Sequence, residues 1–221
     1  KHKQVITTAM LLMVFAMLGA TLVGVTYDNT VEIIKYNEQQ TLLRQLNHIL
    51  PAASYDNNLL TDTIELKADH RLGSSEASTA YRARKEGEDI AIVFSAIAPS
   101  GYSGSIHLLI GVYNDGRLAG VRVVKHRETP GLGDGIEAKR SDWILGFNDK
   151  SLSNPSSKQW KVKRDGGEFD QFTGATISPR AVVKAVHSAL LYFEANKQNL
   201  FISDKKTAPV ILKKKEPDHE S

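Results

Sequence analysis

The chain opens without any alternation of polar and apolar positions. From Gln4 to Tyr27 there is no charged side chain, and the run Val5-Ile6-Thr7-Thr8-Ala9-Met10-Leu11-Leu12-Met13-Val14-Phe15-Ala16-Met17-Leu18 is apolar on every side of a helix. About 20 such residues, at roughly 1.5 Å each, cross a hydrocarbon core of roughly 30 Å, so residues 5–27 are expected to form a transmembrane helix. The pattern then takes a helical period: Val31, Ile34, Leu42, Leu46, Ile49 and Leu50 repeat with Glu, Lys and Gln between them, which predicts an amphipathic helix over Val31–Leu50 stopped by Pro51.

Beyond it come β-like runs at Ala80–Lys85, Ile90–Ile97, Ile106–Tyr113 and Leu118–Lys125. Asn114-Asp115-Gly116 is expected to join the last two through a type I′ turn, with Gly87-Glu88-Asp89 and Pro99-Ser100-Gly101 turning the earlier links. A short helix is expected over Glu137–Phe147 and a strand over Trp160–Lys163. A longer helix is expected over Ser178–Glu194, with Val182, Val186, Ala189, Leu190 and Phe193 on its buried face. Ser178 would be its N-cap and Pro179 its first residue. The order of elements predicts an α+β fold: a mostly antiparallel sheet with packed helices, preceded by one N-terminal transmembrane helix.

Hydrophobic residues at 41% and charged residues at 24% of 221 leave enough apolar surface for one ordinary domain once the anchor is set aside. The expected layout is a cytoplasmic N-terminus over 1–4, the membrane helix over 5–27, an exported domain over 28–199 and a charged, disordered tail over 200–221. A cleaved signal peptide would have a shorter apolar region, and Leu18-Gly19-Ala20 puts a bulky residue where a small one is needed. Lys1 and Lys3 precede the apolar run while Asp28 and Glu32 follow it, so the positive-inside rule places the domain on the periplasmic side of a Gram-negative inner membrane.

Much of the net charge of +3 lies in the end segments, at Lys1, Lys3 and Lys213 to Lys215, and no basic stripe interleaved with aromatics suits nucleic acid. There is no cysteine, which excludes disulfides, thiolate zinc, iron–sulfur clusters and c-type haem. An electron carrier built on this chain needs another cofactor.

Two segments hold the candidate chemistry. In Asp170-Gln-Phe-Thr-Gly-Ala-Thr176 with Ile177-Ser178-Pro179, Thr176 stands just before a helix N-terminus, whose unpaired N–H groups and dipole favour a phosphate. On spacing alone, a Thr-Gly-Ala-Thr run before a helix is more often a plain cap. In His126-Arg-Glu-Thr-Pro-Gly-Leu-Gly133-Asp134, Pro130, Gly131 and Gly133 predict a tight turn that brings backbone N–H groups toward a ligand. Glu128 and Thr129 would bond a polar ring edge there. A strand-to-helix turn is the alternative. His126 and Glu128 lack the further ligands that a metal site needs.

Residues 170–176 resemble the flavinylation motif of the FMN-binding domain family, and His126–Gly133 resembles that family's other signature loop. The likeness runs over nearly the whole chain and continues through Asp134-Gly-Ile-Glu137, Ser141-Asp-Trp143-Ile and Lys163-Arg-Asp-Gly-Gly-Glu-Phe-Asp170. It is closest to the G-subunit family of the Rnf (Rsx) ion-translocating electron transport complexes. The C-subunit family of the sodium-pumping NADH:quinone reductases shares both signatures.

The resemblance implies FMN attached by a phosphoester to Thr176, with Asp170, Thr173, Gly174 and Ala175 in the stretch a FAD-using flavin transferase reads and Ser178 among the cofactor-binding residues. It implies Glu128, Thr129, Gly131, Leu132 and Gly133 along the flavin, and Trp143 and Lys184 are expected as ring or phosphate neighbours. The implied partners are the other subunits of the complex, and the implied role is electron transfer within a translocase of the ferredoxin:NAD oxidoreductase type, not independent catalysis. A cofactor-free structural subunit is the rival from another class.

Overall fold

The computed structural model describes residues 2–202; of the tail expected over 200–221, Leu200 instead ends a helix and is buried, Phe201 packs on the core, and the residues past Ile202 lie outside the described residues. Two compact units meet in sequence between Leu42 and Leu43.

The first unit contains most of one unbroken helix, α1 (His2–Asn47). No proline or glycine interrupts residues 25–47, so the two helices expected from the pattern run together as one. Leu11, Leu12, Met13 and Val14, which follow one another around the helix, are 50 to 63% exposed, so apolar side chains face outward on all sides. This segment is long and apolar enough to cross a membrane. An all-round apolar surface of that length is stable where the solvent is lipid. Thr7, Thr26 and Thr30 donate their hydroxyls to the carbonyls of Lys3, Leu22 and Thr26 four residues back, which leaves no unpaired polar group on them.

In the second unit the sheet is a plain antiparallel meander in the order β1 (Thr63–Leu66), β2 (Ser78–Lys85), β3 (Glu88–Ala98), β4 (Ile106–Tyr113) and β5 (Leu118–Lys125). The four expected strands are present within a few residues, and β1 is an addition too short to announce itself. One face buries Ile92, Phe94 and Ala96 of β3 with Leu108 and Ile110 of β4, together with α2 (Ile177–Leu200). Val182, Val186, Ala189, Leu190 and Phe193 of α2 are all buried, as its spacing predicts. On the opposite face Ile49 sits so close that a side chain at Gly111 would meet it at 2.3 Å. Arg122 donates to the His48 carbonyl at 2.7 Å and holds that segment down.

Four expectations change. The type I′ signature falls on Glu86-Gly87, both at positive φ, because only two residues separate β2 from β3. In the Asn114-Asp115-Gly116 turn Gly116 alone has positive φ, and its N–H bonds the Tyr113 carbonyl, so this is a type I turn with a glycine bulge. The helix expected over Glu137–Phe147 is a 3₁₀ segment limited to Asp142–Phe147 and capped by Ser141. The strand expected at Trp160–Lys163 reduces to a single parallel bridge, Val162 to Phe169. Trp160 and Val162 do point inward, but toward a loop-covered core rather than a sheet edge.

Candidate functional site

The ends of β3, β5 and α2 converge on one cavity of about 300 Å³. Tyr102 from the β3–β4 connection lines it, as do Glu128, Thr129, Leu132 and Gly133 from the loop after β5, and Gly174 to Ser178 from the entry to α2. Both signature segments therefore meet at one place, although 50 residues separate Glu128 from Ser178.

The 126–134 loop is held by its own polar groups. The Glu128 N–H donates to His126 Nδ1 at 3.0 Å, which leaves the other ring nitrogen as the N–H facing Glu137 Oε1 at 2.5 Å. Burial pushes the Glu137 carboxyl up, but hydrogen bonds from Lys139 and His126, and their charges, outweigh it and leave it below the usual glutamate range. Gly131 donates to Asp134 Oδ1 at 2.8 Å, and Leu132 and Gly133 donate to the Thr129 carbonyl at 3.1 and 2.9 Å. These N–H groups are thus committed inside the loop, contrary to the expectation that they face a ligand. Gly133 has an ordinary φ of −88°; its reason is room, since a Cβ there would lie 2.9 Å from Ser178 Oγ and 3.0 Å from Glu128 Cβ.

Glu128 also departs from its expected part. It is 4% exposed, and its carboxylate accepts from the N–H groups of Tyr102 (3.2 Å) and Ser103 (3.0 Å) and from the Ser178 hydroxyl. Those bonds are internal to the protein.

The 170–176 loop is built differently. Phe172 pairs with Ala175 across a turn in which Gly174 has φ 81°, and Thr173 and Gly174 are exposed. Trp143 anchors the base of this turn. Its ring meets Phe172 edge-on at 5.4 Å, and its Nε1–H donates to the Asp170 carbonyl at 2.8 Å. The Asp170 carboxylate is 2.6 Å from Lys163 Nζ at the surface. Arg180 is bound two-pronged to Asp165 at 2.6 and 2.8 Å, which holds that carboxyl below its usual range.

Thr176 takes the position expected of Ser178: it is the N-cap of α2, half-buried at the cavity. Its backbone is helical (φ −75°, ψ −25°), not extended as a capping threonine requires, and its side chain makes no capping hydrogen bond. Ser178 lies inside the first turn and spends its hydroxyl on Glu128.

Of the expected residues, Glu128, Thr129, Leu132, Gly133, Gly174, Ala175, Thr176 and Ser178 line the cavity. Gly131, Thr173 and Asp170 flank it without lining it, and Trp143 supports the loop from beneath. Lys184 is exposed on α2 eight residues past Thr176, roughly 12 Å along the axis, and does not reach the cavity. Sequence reasoning missed Tyr102 and Ile177. Tyr102, Leu132 and Ile177 are 69, 51 and 42% exposed, so three of the domain's large exposed apolar side chains surround one opening. The signal was a Tyr in the Ser-Gly-rich turn at 100–104 and an Ile set between Thr176 and Ser178.

A cavity of this volume, with an apolar rim and an uncommitted threonine at its edge, fits a flat aromatic group and offers it a point of attachment. The FMN-binding domain family matches residues 101–191, a stretch that includes every cavity residue, and the RnfG N-terminal region matches residues 1–49. The protein of Pseudoalteromonas atlantica named as the G subunit of the ion-translocating oxidoreductase complex is 47% identical over 90% of this chain and 93% of its own length. Its namesakes in Pseudomonas aeruginosa and Vibrio cholerae are 47% and 46% identical, over 90% and 86% of this chain and 93% and 91% of theirs.

Proposed function

The chain belongs to the G-subunit family of the ion-translocating oxidoreductase complexes, and from that premise we propose that it relays electrons through an FMN joined covalently to Thr176. The observation that carries the covalent link is the state of Thr176, which borders the cavity with a hydroxyl the helix does not use as a cap. The flavin supplies the redox chemistry when bound, accepting and passing electrons. The chain's own residues tether and orient it.

Attachment forms a bond between Thr176 Oγ and the FMN phosphorus of FAD and breaks the pyrophosphate; AMP leaves, and the hydroxyl proton goes to solvent. A flavin transferase performs that step. The first-turn N–H groups of α2 have no intrahelical partners, and the helix terminus favours a phosphate there by about 0.3–1 kcal/mol. Leu132, Ile177 and Tyr102 offer apolar contact to the ring, with Thr129 at the polar edge. Catalysis by a side-chain base is not part of this role.

The remaining assignments follow the same reading. Residues 5–27 of α1 anchor the chain in the inner membrane, with 1–4 in the cytoplasm and the domain from 28 onward in the periplasm among the other subunits of the complex. A cofactor bound outside the cytoplasm and tethered covalently is not lost by dissociation.

Intact mass tests the central point. Chain made together with its transferase is expected to gain the mass of FMN less one water, and Thr176→Val to gain nothing. An unmodified wild-type chain under those conditions overturns the proposal. A reporter active only in the cytoplasm, fused at the C-terminus, is expected to stay silent, and its activity would reverse the topology.

A further inference from the structure

Among the described residues, Glu128 is the one carboxylate in the cavity wall, and its bonds account for more than its own burial. It joins three chain segments distant in sequence: the Tyr102–Ser103 turn between β3 and β4, its own loop after β5, and Ser178 in the first turn of α2. Among the described residues, Glu128 is the hydrogen-bond partner of the Tyr102 and Ser103 N–H groups. The turn itself is exposed.

Two glycines leave the space for this arrangement. A Cβ at Gly101 would come within 2.9 Å of Glu128 Oε1, and one at Gly133 within 3.2 Å of Glu128 Oε2. From behind, His126 receives the Glu128 N–H and is itself fixed by Glu137.

We infer that Glu128 is a positioning residue whose carboxylate ties the Tyr102 turn to the start of α2, making the Tyr102 side a fixed third wall of the flavin cavity. The inference rests on the proposed flavin at Thr176. Three donors bound to one buried side chain hold their segments together. Without its acceptor oxygens, the exposed turn has only local contacts to keep Tyr102 beside the opening. The side chain thus acts on the flavin through the protein, and the wall it maintains sets how far the ring can swing about its tether.

The measurement is the fluorescence anisotropy of the bound flavin in the full chain, loaded by its transferase and held in detergent, well below its unfolding temperature. Wild type is expected to give a flavin that turns with the protein. The FMN-loaded fraction of Glu128→Ala, separated by its mass, is expected to show roughly half the anisotropy as a nanosecond component appears. Glu128→Gln can still accept from one backbone N–H and donate to a rotated Ser178 hydroxyl, so it should restore most of the lost anisotropy. Ser178→Ala should fall between Glu128→Gln and Glu128→Ala.

Anisotropy unchanged in Glu128→Ala overturns the inference, as does equal loss in Glu128→Gln and Glu128→Ala, which would mean that the charge itself holds the ring. If Glu128→Ala does not fold, wild-type anisotropy in both Glu128→Gln and Ser178→Ala decides against it. A wild-type chain lacking the FMN mass sinks the flavin assignment instead, so the two failures are distinct.

Discussion

In the 126–134 loop the polar groups turn inward: Glu128, Asp134 and His126 are each bonded to neighbouring backbone, and the N–H groups of Gly131 to Gly133 close back on the loop. In the 170–176 loop, by contrast, Thr173 and Gly174 face solvent, and the threonine at the helix start leaves its hydroxyl uncommitted to the cap. Both read from sequence as ligand-binding loops. The first is a frame that shapes the cavity, and the second presents the Thr176 side chain at its edge. Substitutions in the frame should therefore cost stability, and those in the presenting loop should cost chemistry.

The largest test of that division is Asp134→Ala, which orphans the Gly131 N–H and the contact with Arg140 and should cost about 3 kcal/mol in denaturant unfolding. A loss under about 0.5 kcal/mol, the size of an ordinary surface change, would break the comparison.

Gly133→Ala should cost about 2 kcal/mol, because its Cβ must push Ser178 and Glu128 apart. Gly174→Ala meets open space beyond Leu132 and should cost only about 1 kcal/mol, from its left-handed backbone. Asparagine sharpens the contrast between these glycines: it tolerates positive φ and should recover most of the loss at 174 while deepening it at 133.

The frame should also carry the stronger acid sensitivity. Glu137 has its carboxyl lowered in the folded chain, so its contribution is present above the ordinary glutamate range and fades as the pH falls from about 5 through the lowered value. Glu137→Gln should flatten that acid limb, seen as a smaller drop in unfolding midpoint between neutral and acidic buffer. At the small end, Thr173→Ala and Lys184→Ala should each stay within about 0.5 kcal/mol of wild type. Lys184→Ala should also leave the flavin emission unchanged. A shift there would return Lys184 to the site.

Much of this was legible along the chain. The uniform apolar run at 5–18, the β-like runs of the sheet and the 3.6-residue stripe of α2 are local properties. Each follows from which side chains prefer which environment at a fixed repeat. Thr176 was legible as well, through a motif whose residues are contiguous. What escaped were facts about where a side chain's partner comes from. Ser178 looks like a cap because serine before proline usually is one, but the helix starts one residue earlier and Glu128 claims its hydroxyl. Trp143 reads as a ring neighbour, and it props the turn from below.

By itself the sequence determined most of the elements, the long apolar helix and the place of Thr176 at the entry to the last helix. These depend on the order of residues within a few turns of chain. Only the tertiary structure decided that Glu128 is consumed by the protein, that Tyr102 and Ile177 complete the rim, and that Lys184 stands apart. Hydrogen bonds and cavity walls are satisfied by whatever group folding brings within about 3 Å, and that proximity is written in no local stretch of sequence.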